Sequence, residues 1–151
     1  MINHIDIDSQ YLRARCVSCN GFSYDTIRQM TKHAVGYLKT HPESIAIASN
    51  QLSRLDECPA FFIYGGKSYL DPIFIPDITK GIYMTEEGCL SIPHKIYALP
   101  RYYEGALIYT SLLNFKRWGN SKRTTKRVHG FFAKVVQHEC DHLVGRLISG
   151  G

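Results

Sequence analysis

The chain has 151 residues, a formal net charge of +5 and a hydrophobic fraction of 44%. That length suits one domain, so we expect residues 1–151 to share a single core. No apolar run is long enough to span a membrane, and the first residues lack the basic start and apolar centre of a signal peptide, so we expect a cytoplasmic protein.

The first local pattern is a pair of cysteines, Cys16 and Cys19, at the C-x-x-C spacing of metal knuckles and redox motifs. A metal knuckle needs a second pair, which the sequence lacks, and a redox motif needs a strand-to-helix setting, whereas Asn20-Gly21 indicates a turn. The five cysteines are an odd number, which fits reduced thiols better than a disulfide framework. We interpret Cys16 and Cys19 as incidental or partly buried thiols.

The periodicity of apolar residues predicts the order of the elements. A helix starts at Ser23 or Asp25 and ends near His41-Pro42. Short strands follow around 45–48, 60–64, 69–75, 95–99 and 105–114, separated by turn residues. A last helix covers 130–147. This order indicates an α+β fold with mainly antiparallel strands packed around the last helix and one N-terminal helix.

The charge is unevenly distributed along the second half of the chain. Between positions 105 and 138 there is no acid, but there are seven basic residues: Lys116, Arg117, Lys122, Arg123, Lys126, Arg127 and Lys134. Such a segment can attract the phosphates of a nucleic acid. It can equally be a solvated loop that aids solubility. The sequence leaves both interpretations open.

The last helix carries the strongest chemical pattern, His138-Glu139-Cys140-Asp141-His142. Histidines four residues apart share a helix face, so His138 and His142 can bind one metal ion. Glu139 can then accept a proton from a water on that metal without being a ligand. The alternative is a helix with two histidines that have only structural hydrogen bonds.

A catalytic metal usually has three protein ligands. The nine residues after His142 include no His, Asp or Glu, so the third ligand must come from upstream. Cys89 is the best candidate, and a thiolate with two imidazoles suits zinc or ferrous iron rather than calcium or magnesium. Taken alone, Cys89 is equally explained as a buried core cysteine.

Three segments in fixed order carry a resemblance to a known family, the peptide deformylases. Two match in full, at 87–91 (Glu-Gly-Cys-Leu-Ser) and 137–143 (Gln-His-Glu-Cys-Asp-His-Leu). The third is the family's G-x-G-x-A-A-x-Q loop, which is degraded at 44–51 because only Ala48 and Gln51 survive. The resemblance spans about 11–148. The chain resembles a minimal form of the family that has no C-terminal helical extension, as in some phage-encoded members.

The resemblance implies hydrolysis of the formyl group of N-formylmethionine on new polypeptides. It implies Cys89, His138 and His142 as ligands of one divalent metal, with Fe²⁺ in the cell and Zn²⁺, Ni²⁺ or Co²⁺ able to take its place. Glu139 resembles the general base that acts as water on the metal attacks. Gln51 and the backbone N–H of Leu90 resemble the donors that stabilise the oxyanion.

The substrate pocket is expected beside the metal. Ile45, Leu90, Phe131 and Val135 would form an apolar wall for the methionine side chain, although Phe131 and Val135 can also be plain core. Residues 44–46 would pair with the peptide backbone as an added strand. Ser44 and Ala46 stand where the family has glycine, which indicates either a local adjustment or an altered specificity.

Partners and alternative functions follow from the same resemblance. We expect a monomer that acts on N-formylmethionyl peptides, and the basic segment 116–127 makes the ribosome surface a candidate partner. Two alternatives stay open. One is a metallopeptidase with altered specificity, and the other is a ribosome-associated relative without catalysis.

Overall fold

The computed structural model describes residues 10–52, 56–89 and 91–149. Within these ranges no helix combines the length and the apolar character needed to cross a bilayer. The helices are α1 (Gln10–Arg13), α2 (Tyr24–Thr40), α3 (Leu112–Trp118) and α4 (Gly130–Leu143). The strands are β1 (Ala46–Ala48), β2 (Phe61–Tyr64), β3 (Lys67–Pro76), β4 (Ile82–Cys89), β5 (Ile92–Tyr102), β6 (Glu104–Thr110) and β7 (Thr124–His129).

The strands form two antiparallel sheets. One has the order β1-β2-β3-β6-β7, and the other is the β4–β5 pair. Strand β1 lies at one edge of the larger sheet. Helix α4 contacts strands of both sheets, so it lies where the two come together. This arrangement confirms the predicted α+β class with antiparallel strands around the last helix.

Helix α2 begins and ends where its sequence predicts. The Ser23 side chain accepts a hydrogen bond from the Thr26 N–H, which caps the first turn. Ile27, Met30 and Ala34 recur at helical spacing and are buried. They form a core cluster with residues of β1 and β2, including Ile47 and Ile63, so α2 packs against that edge of the sheet.

Helix α4 closes the second core cluster. Its residues Ala133 and Val136 pack with Phe62 of β2, Leu107 of β6 and Val128 of β7. The helix ends at Leu143, before the predicted end at 147. The reason is Gly145, which has φ +80 and lies so close to the Arg13 carbonyl that a Cβ there would be 2.1 Å from its oxygen.

Several elements differ from the prediction, and the helices α1 and α3 are among those that were not predicted. The strand predicted to 114 stops at Thr110, because Ser111 accepts a hydrogen bond from the Asn114 N–H and starts α3 instead. Strand β7 was not predicted, since five of its six residues are polar and only Val128 is buried. Strand β4 was not predicted either. Its apolar residues Ile82 and Met84 face solvent, and its buried residues are polar, Thr85 and Glu87.

Candidate active site

Helix α4 presents its two histidines side by side. His138 and His142 are four residues apart, and their ring centroids are separated by 5.1 Å. His142 is 1% exposed, whereas the His138 side chain is 11% exposed. The pair therefore lies in the interior, with His138 nearer to solvent.

Cys89, the last residue of β4, reaches the same point from the smaller sheet. Its Sγ lies 3.2 Å from His142 Nε2. One ligand atom from each of Cys89, His138 and His142 can be chosen so that all three lie within 4.8 Å of one another. Three donors this close, from two elements, fit the separation of ligands around one ion.

A carboxylate behind the site fixes the orientation of one ring. Glu87 Oε1 lies 2.9 Å from His138 Nδ1. Because a carboxylate only accepts hydrogen bonds, Nδ1 carries the proton and Nε2 is left as the ligand atom. Burial alone would lower the pKa of His138, but its hydrogen bonds to Cys89 and Glu87 outweigh that and raise the pKa to about 10 in the metal-free protein, so a metal would displace a proton from Nε2.

Glu87 is itself held by Arg101 of β5. The guanidinium donates through Nε to Glu87 Oε2 at 2.7 Å and through Nη2 to Oε1 at 2.8 Å. Its Nη1 donates to Asp141 Oδ2 at 2.7 Å, which ties the smaller sheet to α4. Burial opposes ionisation of Glu87, but the bonds from Arg101, His138 and Thr85 keep its pKa below the ordinary range.

The 3₁₀ turn after β1 supplies two side chains. The Gln51 Oε1 accepts the Ala48 N–H at 2.9 Å, so the amide is fixed with its NH₂ toward Cys89 Sγ at 3.5 Å and Ser91 Oγ at 3.3 Å. Neighbouring Asn50 donates through Nδ2 to the His142 carbonyl. The turn therefore holds an amide donor beside the ligand cluster and braces the helix that carries the ligands.

Glu139 forms no ion pair with any residue that the structure describes. It is 4% exposed, and no described residue forms a hydrogen bond with its Oε2. Burial raises the pKa of Glu139 to about 7, although the nearby His138 acts against this. A carboxylate whose pKa is close to neutrality can take up and release a proton under ordinary conditions.

These residues fit a divalent metal. The donor set is one thiol and two imidazoles, which suits ferrous iron or zinc. The Glu87–His138 contact is the carboxylate support commonly given to a histidine ligand. The unpartnered Glu139 oxygen faces no competing donor from the described residues, which leaves it for a substrate or a water.

The site opens into a cavity of about 650 Å³. Its lining includes the predicted residues Ser44, Ile45, Ala46, Gln51, Cys89, Val135, His138 and Glu139. Phe131 is not part of that lining and is 55% exposed. The predicted role of Leu90 concerns a residue outside the described ranges. His142 lies deeper than the cavity lining, against Cys89.

A larger cavity, of about 1070 Å³, lies on the other side of α4. It is lined by Gln137, Cys140 and Asp141 of that helix, and by Arg15 and Arg146. None of the three clustered ligand residues contributes to it. The candidate metal ligands therefore adjoin the smaller cavity.

Several supporting residues were missed in the sequence. Glu87 and Ser91 are the first and last letters of the second motif, and Gln137 is the first letter of the third. The Gln137 amide bonds both the N–H and the C=O of Tyr102, each at 2.9 Å, and so joins α4 to β5. Lys95 and Lys134 also line the cavity. No motif signalled them, since both lie between the recognised segments.

Comparison with known proteins shows which family this chain resembles. A model described as polypeptide deformylase matches residues 3–150. Peptide deformylase 2 of Pseudomonas syringae pv. tomato is 37% identical over 79 residues, which are 52% of this chain and 39% of that protein. Peptide deformylase of Wolbachia sp. subsp. Drosophila simulans is 31% identical over 115 residues, 75% of this chain and 57% of its own length.

The fold is also that of a solved structure, peptide deformylase from Thermotoga maritima. The TM-score is 0.81 at 21% identity, and the match covers 99% of this chain and 95% of that one. The fold and the thiol-imidazole cluster thus define an α+β protein with a candidate metal centre. Because the family model matches nearly the whole chain, the chain belongs to the polypeptide deformylase family. The match covers about two fifths of the length of the Pseudomonas relative.

Proposed function

We propose that this protein removes the N-formyl group from N-formylmethionyl peptides. The observation that carries the proposal is the convergence of Cys89, His138 and His142 with Gln51 and Glu139 around one cavity. This convergence occurs in a chain of the polypeptide deformylase family. A metallopeptidase would also need a metal and a base, and an unformylated peptide distinguishes the two activities.

Ferrous iron is the metal we propose for Cys89, His138 and His142. A bound divalent metal would polarise the formyl oxygen and make a water acidic enough to attack at neutral pH. The Glu87–Arg101 pair would hold His138 in the tautomer that leaves Nε2 free for the metal.

The chain's own groups would carry the remaining chemistry. Glu139 would accept the proton of the attacking water and return it to the departing amine, because burial brings its pKa to about 7. The Gln51 NH₂ would donate to the oxyanion that forms on the formyl group. Since the Ala48 N–H already fixes the amide oxygen, little reorganisation would be needed.

We propose that the peptide binds along β1. In the described part of the chain β1 pairs only with β2, so its other edge remains for an extended peptide. The peptide would run past Ser44, Ile45 and Ala46, which line the cavity, and Val135 would contact the methionine side chain. This binding mode uses main-chain hydrogen bonds and so accepts many sequences.

The test is formate release from formyl-Met-Ala-Ser by anaerobically prepared protein loaded with ferrous iron. The Glu139→Gln variant should keep its metal and lose about 10²-fold to 10⁴-fold in rate. The matched control is Glu86→Gln, which removes an exposed carboxylate from the neighbouring strand. Cleavage of unformylated Met-Ala-Ser would favour a metallopeptidase. Full metal loading without turnover of either peptide would favour a binding protein.

We also propose that the ribosome surface is a partner, through part of the basic segment. Arg127 is paired with Asp77 and Glu104, and Arg123 donates to the carbonyls of Leu70 and Asp71, so neither is available. Apart from Arg127, the exposed cations that the structure describes in the segment are Lys116, Arg117, Lys122 and Lys126. They would contact phosphates, and the protein would act in the cytoplasm as a monomer on emerging chains.

Co-sedimentation with ribosomes at increasing salt tests this partner. Binding should weaken as salt rises and should be lost in an Arg117→Glu, Lys122→Glu double variant. A Lys32→Glu, Lys39→Glu variant on α2 is the matched control, because both of its lysines are exposed and lie outside the segment. Equal binding by the two double variants would contradict the proposal that the basic segment binds the ribosome.

A further inference from the structure

Two lysines line the candidate active-site cavity. Lys134 lies on α4, four residues before His138, and Lys95 lies on β5. The Lys134 Nζ donates to the Glu86 carbonyl at 2.9 Å and lies 5.3 Å from the centre of the Phe131 ring. These contacts hold the ammonium group at the wall of the cavity, although the residue is only half-buried.

The positive charge of these lysines is not neutralised locally. Among the described residues, no carboxylate oxygen lies within 4.0 Å of either ammonium group. Three acidic residues line the cavity within the part of the chain that the structure describes. Glu87 is engaged by Arg101 and His138, Glu139 is buried at the catalytic end, and Glu43 is exposed just before β1. A ligand side chain at this wall therefore meets two cations with unused hydrogen-bonding capacity.

The position of Lys134 indicates which part of a peptide it would meet. Four residues of α-helix advance about 6 Å along the axis, so the backbone of Lys134 lies about that far along α4 from the backbone of His138. An extended peptide advances about 3.3 Å per residue. A peptide whose formyl group lies at the metal and whose chain runs along the cavity wall toward Lys134 would therefore bring its second or third residue level with Lys134.

We propose that Lys95 and Lys134 make the site prefer N-formylmethionyl peptides with a carboxylate side chain at the second or third residue. The inference rests on the proposed deformylase function and specifies its substrate class. Main-chain pairing along β1 cannot by itself favour an acidic side chain, because its hydrogen bonds involve only the peptide backbone. The lysines would thus favour acidic peptides at a site that otherwise accepts many sequences.

The test compares kcat/KM for peptides whose C-termini are amidated, so that the only carboxylate is on the chosen side chain. The set is formyl-Met-Ala-Ala-amide and its variants with Asp or Lys at the second or at the third residue. We expect an acidic peptide to exceed the neutral one by about twofold to fivefold, as a partly exposed ion pair allows. The preference should disappear near 1 M salt, where charges are screened within about 3 Å.

Variants then assign the preference to the two residues. Lys134→Gln and Lys95→Gln should each lower the acidic-to-neutral ratio, and Lys134→Glu should favour the Lys-containing peptides. Lys32→Gln, an exposed lysine of α2, should leave the ratio unchanged. The ratio is taken within one enzyme preparation, so a general loss of activity does not affect it.

The possible results separate the inference from the function on which it rests. Turnover of all peptides with equal kcat/KM would overturn the lysine preference and leave the deformylase function standing. A preference that survives both glutamine substitutions would also overturn it. No turnover of any formyl peptide by the metal-loaded protein would overturn both proposals.

Discussion

The substitution Glu87→Gln tests the hydrogen-bonded pair behind the metal ligands. Glu87 Oε1 accepts from His138 Nδ1 and Arg101 Nη2, and Oε2 accepts from Arg101 Nε and Thr85 Oγ1. A glutamine has the same size but carries an NH₂ at one of these two positions. Whichever way the amide turns, that NH₂ faces an N–H of Arg101, so two donors meet in a buried site.

The expected cost follows from the burial of both partners. Glu87 is 2% exposed and Arg101 is 8% exposed. Removing one partner of such a pair typically costs about 3–5 kcal/mol. Since Arg101 keeps its bond to Asp141, we expect the lower end, about 3 kcal/mol. For a chain of this length that corresponds to a fall in Tm of about 6–12 °C.

Urea unfolding of the metal-free protein measures this loss without a contribution from metal binding. A second measurement, metal titration of the folded variant, should show an affinity about 10-fold to 100-fold weaker, because His138 loses its carboxylate partner. The matched control is Glu86→Gln, on the solvent face of the same strand, which should stay within about 0.5 kcal/mol of the unsubstituted protein. If the two variants unfold alike and bind metal equally, the reasoning about Glu87 is wrong.

The pH dependence of this difference has a definite sign. Glu87 has a pKa below its ordinary value in the folded metal-free protein, so its contribution is complete above the unfolded pKa of about 4.3. Glu87 also helps raise the pKa of His138 to about 10 in the folded protein, and that contribution is complete only below the unfolded histidine pKa of about 6.5. The stability difference between the unsubstituted protein and Glu87→Gln should therefore be constant between about pH 6 and about pH 5. It should shrink as the pH falls further, toward the folded pKa. A difference that grows on acidification below about pH 5 would contradict the assignment.

Two further predictions concern a turn and the metal. Gly145→Ala places a Cβ 2.1 Å from the Arg13 carbonyl oxygen at φ +80, so urea unfolding should show a loss of at least about 2 kcal/mol. Gly66→Ala, at φ +75 with open space around it, should cost only about 1–2 kcal/mol. Ferrous or zinc ion at about 100 times its Kd should stabilise the protein by about 2.7 kcal/mol, and Cys89→Ser should largely abolish that gain in a thermal melt.

The parts of the site that were predictable are those with a fixed spacing. His138 and His142 are four residues apart in one helix, so their shared face follows from helix geometry alone. Cys89 required a different inference, because nothing local in the sequence says that the end of β4 meets α4. Because no His, Asp or Glu follows His142, the third metal ligand had to be sought earlier in the chain. The structure places Cys89 Sγ 3.2 Å from His142 Nε2.

The fold was predictable where apolar periodicity and burial agree. Helix α2 has a capping serine and a buried stripe, and both of its ends were predicted. Strand β7 has one buried residue, Val128, so periodicity carried no signal. The pairing of β7 with β6 is what makes it a strand. That contact joins segments separated by α3, and local patterns do not contain such information.

Strand β4 shows why supporting residues are harder to find than ligands. A half-buried strand normally turns its apolar residues inward, whereas β4 exposes Ile82 and Met84 and buries Thr85 and Glu87. The inversion is tolerable because Arg101, on the paired strand β5, neutralises Glu87 and satisfies its oxygens. The buried polar residues of this two-stranded sheet therefore hold the carboxylate that contacts His138. A reversed burial pattern beside a metal motif thus indicates the carboxylate that orients a histidine ligand.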